Sequence, residues 1–394
     1  MTCSRLLTLN AGSSSLKFSV YGRAPNLPLL MSGRVSGLAN NPQFRARAGE
    51  KGLADEVWPE AQSFDAVLDR VFDWLDTNGW SDRLEALGHR IVHGGVRFQA
   101  PTLLTTVVTD ELERLSPFAP LHQPFNLSAV RKSADRYATA IQVGVFDTAF
   151  HADQPRIARL YGLPRGLIDQ GVIAYGFHGL SYEYISGVLR NREGPQAGGR
   201  TIVLHLGGGT SLCALDCGRS VATTMGFSPL DGPPMSTRCG SLDPGVMLHL
   251  MQTKRMTADA IADLLYNRSG LLGLSGVSGD MVTLLASTDP RAREALDVYV
   301  YRLSLEIGRL AAALGGLDAM VFTAGVGENA AIIRERIVHR AAWLGAHLDP
   351  GANAQGAQVI NAAHSRVKIL VIPTDEEVVI ARGLLKCVGG AVAG

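Results

Sequence analysis

The chain has 394 residues, 46% of them hydrophobic and 44 of them Gly, with a formal net charge of +1. That length suggests two or three domains, and a near-neutral balance without a run of like charge argues against a nucleic-acid footprint or an anionic-membrane surface. No apolar stretch is long enough to span a bilayer, and the five cysteines (Cys3, Cys213, Cys217, Cys239, Cys387) contain no CxxC pair, so reduced cytosolic thiols are expected in place of a disulfide framework or zinc site.

Leu6 to Leu9 reads as a strand entering the turn Asn10-Ala11-Gly12-Ser13-Ser14-Ser15, and Leu16 to Tyr21 as the strand leaving it. The polar stretch from Leu29 to Trp58 suggests further hairpin and loop. Phe64, Val67, Leu68, Val71, Phe72 and Leu75 recur at helical spacing and predict an amphipathic helix. Strands are expected at 86–92 and 141–146, and Asn191 to Arg200, rich in Gly and Pro, reads as a surface loop. Strand 201–206 then enters Gly207-Gly208-Gly209 and strand 212–217 leaves it. Helices are expected at 245–253, 257–266 and 289–314. Strand 319–324 opens into Gly325-Val326-Gly327-Glu328-Asn329, from which a helix runs to about Leu344. Strand 367–372 and helix 376–387 follow. The organisation is mixed α/β. The strand, Gly-turn, strand unit at 6–21 recurs at 202–217, which points to a duplicated domain with a site in the cleft between copies.

The Gly-rich turns offer backbone N–H groups that can cradle phosphate oxygens, although none is a GxxxxGK[ST] loop. Gly325 to Ala330 fits G-x-G-x-x-A, the dinucleotide fingerprint. The acidic partner is misplaced, since Asp349 sits beside Pro350 in a loop-like setting, so an NAD-type dehydrogenase is a disfavoured alternative. Ser13, Ser15 and Lys17 alternate along an extended strand and share one face. Lys17 can approach a phosphate there, while a solvated edge lysine is the simpler reading of the spacing alone. Arg90, Asp147 and Arg238 are isolated charges in apolar or Pro/Gly-rich settings. Such positions suit a carboxylate-binding Arg or a metal-binding Asp, and equally a structural ion pair. His89 and His93 lack HExxH, which excludes a zinc site of that kind. His122 and His178 sit in Gly/Pro-rich turns, where a scaffold role is the commoner one.

A series of ordered segments resembles the acetate kinase family over nearly the whole chain. They are NAGSSSLK (Asn10 to Lys17), HRIVHGG (His89 to Gly95), APLHQPFN (Ala119 to Asn126), VFDTAFH (Val145 to His151), YGFHGLSY (Tyr175 to Tyr182) and HLGGGTS (His205 to Ser211). MGFSPLDG (Met225 to Gly232), STRCGSLDP (Ser236 to Pro244), SGLLGLSGVSGDM (Ser269 to Met281), FTAGVGEN (Phe322 to Asn329) and PTDEE (Pro373 to Glu377) continue the series. The resemblance implies an α/β fold of two duplicated actin-like (RNase H-like) domains with an interdomain active-site cleft. It places an N-terminal domain at 1–147 plus 376–394 and a nucleotide-binding domain at 148–375. It implies a cytoplasmic homodimer that binds neither nucleic acid nor membrane. The implied reaction is reversible, direct in-line transfer of the ATP γ-phosphoryl group to acetate with Mg²⁺ or Mn²⁺, giving acetyl phosphate and ADP.

The same resemblance assigns roles. Asn10, Asp147 and Glu376 would organise the metal and the transferring group. Arg90 and Arg238 would bind the carboxylate and the developing phosphoryl charge. His178 would stabilise the transition state, with His122 more structural. Val92, Leu121, Phe177 and Pro229 would wall the acyl pocket. Lys17, Ser13, Ser15, His205, Gly207, Gly208, Gly209, Asp280, Met281, Gly325, Val326, Gly327 and Asn329 would hold the nucleotide. This set suits phosphoryl transfer, which needs positioning and charge neutralisation more than covalent help.

Several positions depart from the family pattern: Gly208 for Asn, Val282 for Arg, Gln123 and Phe125 for Asn and Pro, Leu180 and Tyr182 for Thr and His. Gly208 and Val282 put nucleotide affinity in question and leave a non-catalytic nucleotide or acyl-phosphate sensor as an alternative. Propionate or butyrate is the alternative acceptor, because one methylene is worth only about 1–3 kcal/mol of discrimination.

Overall fold

The computed structural model describes residues 4–12, 15–38, 41–58, 63–196 and 198–391; Cys3 and the candidate Ser13 lie outside them. The chain divides into two compact units, Met1–Ala152 with Asp375–Gly394, and Asp153–Thr374.

In the first unit, β1 (Arg5–Ala11) and β2 (Ser15–Gly22) form the expected antiparallel hairpin, with Asn10 opposite Lys17. The polar stretch that follows is more regular than its composition suggests, because β3 (Leu29–Ser36), β4 (Gln43–Ala48) and β5 (Lys51–Val57) extend the hairpin into a meander. With β6 (Leu84–Ile91), β7 (Thr102–Leu103) and β8 (Ile141–Phe146) they make a sheet of order β5-β4-β3-β2-β1-β6-β8-β7, in which β1, β6 and β8 run parallel.

Alternation along β1 sends Leu7 and Leu9 to one face of this sheet and Leu6 to the other. On the Leu7 face lies the helix Phe64–Thr77, capped by Ser63, whose hydroxyl accepts the Ala66 N–H at 3.2 Å. Its Val67, Leu68, Val71, Phe72 and Leu75 pack with Phe18, Phe44 and Trp58. Full burial of one such side chain contributes about 1.5–3 kcal/mol. On the Leu6 face lies the helix Glu376–Ala391, whose Ala381, Leu384 and Val388 meet Ala86 and Val143. A Cβ on Gly88 of β6 would stand 2.7 Å from Ile380 Cγ2, so this helix can lie so close only over a glycine. Its first residues thereby reach Asn10 at the end of β1.

In the second unit, β9 (Arg200–Leu206), β10 (Thr210–Asp216) and β11 (Arg219–Thr223) form an antiparallel meander, and β12 (Ala319–Thr323) and β13 (Lys368–Val371) add in parallel. The order β11-β10-β9-β12-β13 repeats β3-β2-β1-β6-β8 strand for strand and direction for direction. The recurring hairpin in the sequence is therefore the visible part of a duplicated sheet.

The long helix Pro290–Leu314 covers this sheet with Ala292, Leu296, Tyr299, Leu303 and Leu310. Its limits follow from three residues. Asp289 accepts the Arg291 N–H at 2.9 Å, Pro290 fits the first turn, and Gly315 stops the helix in the left-handed conformation.

The loop expected from Asn191 starts later, because the helix Gly179–Glu193 carries Arg190 and Arg192 in its last turn, where cations suit the helix C-terminus. The Gly turn after β12 is itself a short helix, Ala324–Asn329, and the helix expected beyond it runs Ala331–Arg340, with a 3-10 turn at Ala342–Leu344. Among the described residues, no helix is long and apolar enough to cross a membrane.

Candidate active site

In the first unit, Asn10, Arg90 and Asp147 lie at or just past the carboxyl ends of the parallel strands β1, β6 and β8, and carboxyl ends of parallel strands are where α/β sheets place their ligands. Asp147 is 1% exposed and would be costly there without a partner. Arg90 supplies one: its Nε donates to Asp147 Oδ1 and Oδ2 at 3.1 and 3.0 Å, and its Nη2 to Oδ2 at 2.5 Å. Arg90 Nη1 donates to Asn10 Oδ1 at 3.1 Å. Burial opposes the guanidinium charge, but Asp147 and then Glu376 outweigh it and hold Arg90 above its ordinary value.

Asn10 turns its amide the other way, donating from Nδ2 to Glu376 Oε2 at 2.8 Å and to Glu377 Oε1 at 3.1 Å. Lys17 Nζ lies 3.9 Å from Glu377 Oε1. Burial pushes the Glu377 carboxyl above its usual range; Lys17 counters this and neighbouring Glu376 adds to it.

Ser15 opens β2 and is half-buried. Val92 is buried just beyond β6, its N–H bonded to Asn126 Oδ1 at 2.9 Å, and Leu121 is half-buried ahead of the helix Gln123–Arg136. Two of the off-pattern residues have structural explanations. Gln123 is buried and pairs with both sides of the His93 residue, accepting its N–H at 3.1 Å and donating to its C=O at 3.0 Å. Phe125 packs edge-on against Phe64, 5.2 Å between ring centres, and so joins two helices.

In the second unit, His178 caps the helix Gly179–Glu193 from a left-handed conformation, φ 58°, unusual outside glycine and costly enough to suggest that the position matters. Its Nδ1 lies 2.8 Å from Ser211 Oγ, which lies 2.5 Å from the Tyr182 hydroxyl. The His205 ring stacks on His178 at 4.2 Å and 21°, and His205 Nδ1 meets Ser181 Oγ at 2.9 Å.

The Gly turn lies under these rings. A Cβ on Gly209 would stand 3.2 Å from His178 Nε2 and 3.7 Å from Arg238 Nη1, and one on Gly207 would stand 3.7 Å from Ala324 Cβ. At Gly209 a side chain would crowd the His178 ring. The turn between β9 and β10 and the turn after β12 are therefore neighbours. Asn329 closes the latter by donating to Gly325 O at 2.8 Å. Val326 packs partly on the core and Gly327 is buried. Exposed Gly208 passes its carbonyl to Ser236 N at 3.3 Å. Arg238 donates from Nη1 to the Pro229 carbonyl at 3.0 Å, which aims the guanidinium from the irregular loop that carries it. Pro229 and Phe177 are buried.

Asp280 caps the helix Met281–Ala286 through Thr283 N at 2.8 Å, and Met281 is buried; Val282 is 74% exposed. Glu377, Ser211 and Tyr182 were not singled out as site members by sequence reasoning. The second Glu of PTDEE and the Ser that follows the Gly turn are the signals that could have found the first two.

A model of the acetokinase family matches residues 5–382. The chain belongs to that family. It is 49% identical over 393 residues to a protein named acetate kinase from Rhodopseudomonas palustris strain TIE-1, covering 98% of each chain. Among solved structures it resembles a propionate kinase from Francisella tularensis, at TM-score 0.89 and 33% identity, covering 97% of this chain and 99% of that one. It also resembles Porphyromonas gingivalis acetate kinase, at TM-score 0.84 and 34% identity, covering 98% and 100%.

Membership brings dependence on ATP and a divalent metal. The first unit's donors fit a hard cation. Asn10, Asp147, Glu376 and Glu377 can offer oxygen ligands, Glu376 and Glu377 converge on the Asn10 amide, and burial pushes the Glu377 carboxyl above its usual range. Among the described residues, no group of three or more His, Cys, Asp or Glu could hold an ion.

Proposed function

We propose that the chain transfers the γ-phosphoryl group of ATP to acetate, reversibly and by direct in-line displacement, giving acetyl phosphate and ADP. The observation that carries this reading is the approach of His178 Nε2 and Arg238 Nη1 to the same glycine of the Gly turn. Two donors at a phosphate-cradling turn can stabilise charge on a phosphoryl group in transit.

The nucleophile is the acetate carboxylate, so no strong base is needed. Cys239, beside Arg238, is no rival acceptor, because burial pushes its thiol up to about 11. Three N–H groups of Arg90 serve Asp147 and Asn10, and the fork's remaining donors suit a planar carboxylate. Asn10, Asp147 and Glu376 would hold Mg²⁺, which supplies charge neutralisation when bound. The Gly207–Gly209 and Gly325–Asn329 turns, with Lys17, Ser15, His205, Asp280 and Met281, would hold the nucleotide, making the second unit the nucleotide-binding domain. Val92, Leu121, Phe177 and Pro229 would wall the acyl group.

A homodimer is supported by the helix Pro244–Gln252, an apolar helix with no buried residue, whose Leu248 is 54% exposed and Met251 49% exposed. A cytoplasmic location is supported by the use of ATP and by the free thiols Cys213, Cys217, Cys239 and Cys387.

The test is a hydroxamate assay with ATP and Mg²⁺ across acetate, propionate and butyrate. The highest kcat/KM is expected with acetate. A longer acid in first place would change the substrate and keep the chemistry, whereas no acyl phosphate from any acid would overturn the reading in favour of a sensor. A phosphorylated side chain trapped on the kinetic path would overturn direct transfer.

A further inference from the structure

We propose that Tyr182 and Ser211 are positioning residues which fix His178 as the tautomer carrying its proton on Nε2. The inference rests on the phosphotransfer reading only in giving that proton a use.

The geometry is a line of three groups: the Tyr182 hydroxyl, Ser211 Oγ at 2.5 Å from it, and His178 Nδ1 at 2.8 Å from Ser211 Oγ. All three residues lie in buried positions, so the imidazole nitrogen that faces this line is fixed by protein and not by solvent. A serine hydroxyl has one proton and two acceptor lone pairs. Tyr182 is a phenol, a better donor than an alcohol, and burial holds it protonated well above its ordinary value; Cys213 adds to this and the Ser211 hydrogen bond opposes it. Tyr182 therefore donates to Ser211. Ser211 then has its own proton to give, and it gives it to Nδ1. An imidazole that accepts at Nδ1 carries its proton at Nε2.

Two further contacts keep the ring from reversing the assignment. His205 lies flat against it at 4.2 Å, itself anchored through Nδ1 to Ser181 Oγ at 2.9 Å. The Nε2 edge abuts Gly209, where even a Cβ would come within 3.2 Å. A ring flip would withdraw Nδ1 from Ser211 and press carbon where nitrogen now sits. The Nε2–H is thus delivered to the Gly turn as a donor, beside Arg238 Nη1. In this chain a tyrosine stands where the family pattern carries histidine. A phenol at this place stays a donor throughout the range in which a histidine would titrate.

The experiment uses the full chain labelled with ¹⁵N-histidine. Long-range ¹H–¹⁵N spectra of wild type, Tyr182→Phe, Ser211→Ala and Ser211→Thr report the tautomer of His178, assigned by its loss in His178→Gln. Wild type and Ser211→Thr are expected to show protonated Nε2 and bare Nδ1. Tyr182→Phe and Ser211→Ala are expected to show averaged tautomers. In the acetate assay each of these two should lower kcat about tenfold with little change in KM for acetate or ATP, the size of one hydrogen bond. The double variant should be no worse than the worse single, because both break one line. Unchanged nitrogen shifts in both Tyr182→Phe and Ser211→Ala would overturn the proposal, as would fully multiplicative losses in the double variant. If wild type phosphorylates no acid, the function proposed above fails, and the nitrogen shifts still decide the tautomer.

Discussion

In the first unit Arg90 is gripped by Asp147 and by Asn10, and Asn10 by two glutamates, so the strand ends are joined through charge. In the second unit, built on the same strand order, His178 is held by a serine, a tyrosine and a stacked ring, and Arg238 by a backbone carbonyl. The duplicated sheet thus carries two kinds of scaffold. A charge network costs stability when one member is removed, because the partner is left buried and unpaired. A scaffold of hydroxyls and backbone lets a donor be removed with little consequence for folding.

The sharpest way to break this comparison is to delete the two arginines. Arg90→Ala is expected to cost about 3–5 kcal/mol in urea unfolding, since Asp147 loses its partner, and to abolish turnover. Arg238→Ala is expected to leave the unfolding midpoint nearly unchanged while lowering kcat about 10²–10³-fold, the usual loss for one transition-state donor. Equal stability losses in the two variants would erase the distinction.

The glycines give a second contrast. Gly88→Ala drives a methyl to 2.7 Å from Ile380 Cγ2 and should destabilise by about 1–3 kcal/mol, read as a fall in Tm. Gly209→Ala places its methyl 3.2 Å from His178 Nε2, at a turn and not in a core. It should spare Tm and lower kcat.

The smallest effect per step belongs to pH. Burial lowers His89 to about 4, with Gln142 opposing, and burial alone lowers His93 to about 4. Both folded values lie below the unfolded value of about 6.5. The unfolded chain therefore binds these protons first as pH falls. Their contribution is fully present above about 6.5 and is lost towards 4, at about 1.4 kcal/mol per pH unit for each. Denaturant midpoints between pH 7 and 4 should show this slope, and His93→Asn should remove half of it.

Much of this architecture was legible because the signals were local. Apolar spacing marked the helix Phe64–Thr77, and Asp289, Pro290 and Gly315 bracket the helix Pro290–Leu314. The strands flanking each Gly turn were equally plain. The helix Gln123–Arg136 was not legible, because the face it buries includes Gln123, Asn126 and Ser133, which leaves no clear apolar stripe. The helix Gly179–Glu193 starts from a left-handed histidine with no side-chain cap bond, so no start signal announces it. Residues of the candidate site could be named through the family resemblance, but their pairing could not. Arg90 and Asp147 are 57 residues apart, and Asn10 and Glu376 are 366 apart. Only the sheet order brings them within reach. Tyr182, a departure in the sequence, acquires a meaning only when Ser211 is seen between it and His178.

The helix Glu376–Ala391 belongs to the first unit although more than two hundred residues of the second unit precede it. Order of synthesis follows from this. As the chain leaves the ribosome, the strands from Arg5 to Phe146 emerge first, yet Leu6, Ala86 and Val143 lack the cover of Ala381, Leu384 and Val388, and Asn10 its glutamates, until residues 376–391 arrive. The second unit, contiguous from Asp153 to Thr374, can close before the first does. A nascent chain cut short before residue 376 carries a bare apolar sheet face, which makes such fragments natural clients for chaperones and proteases.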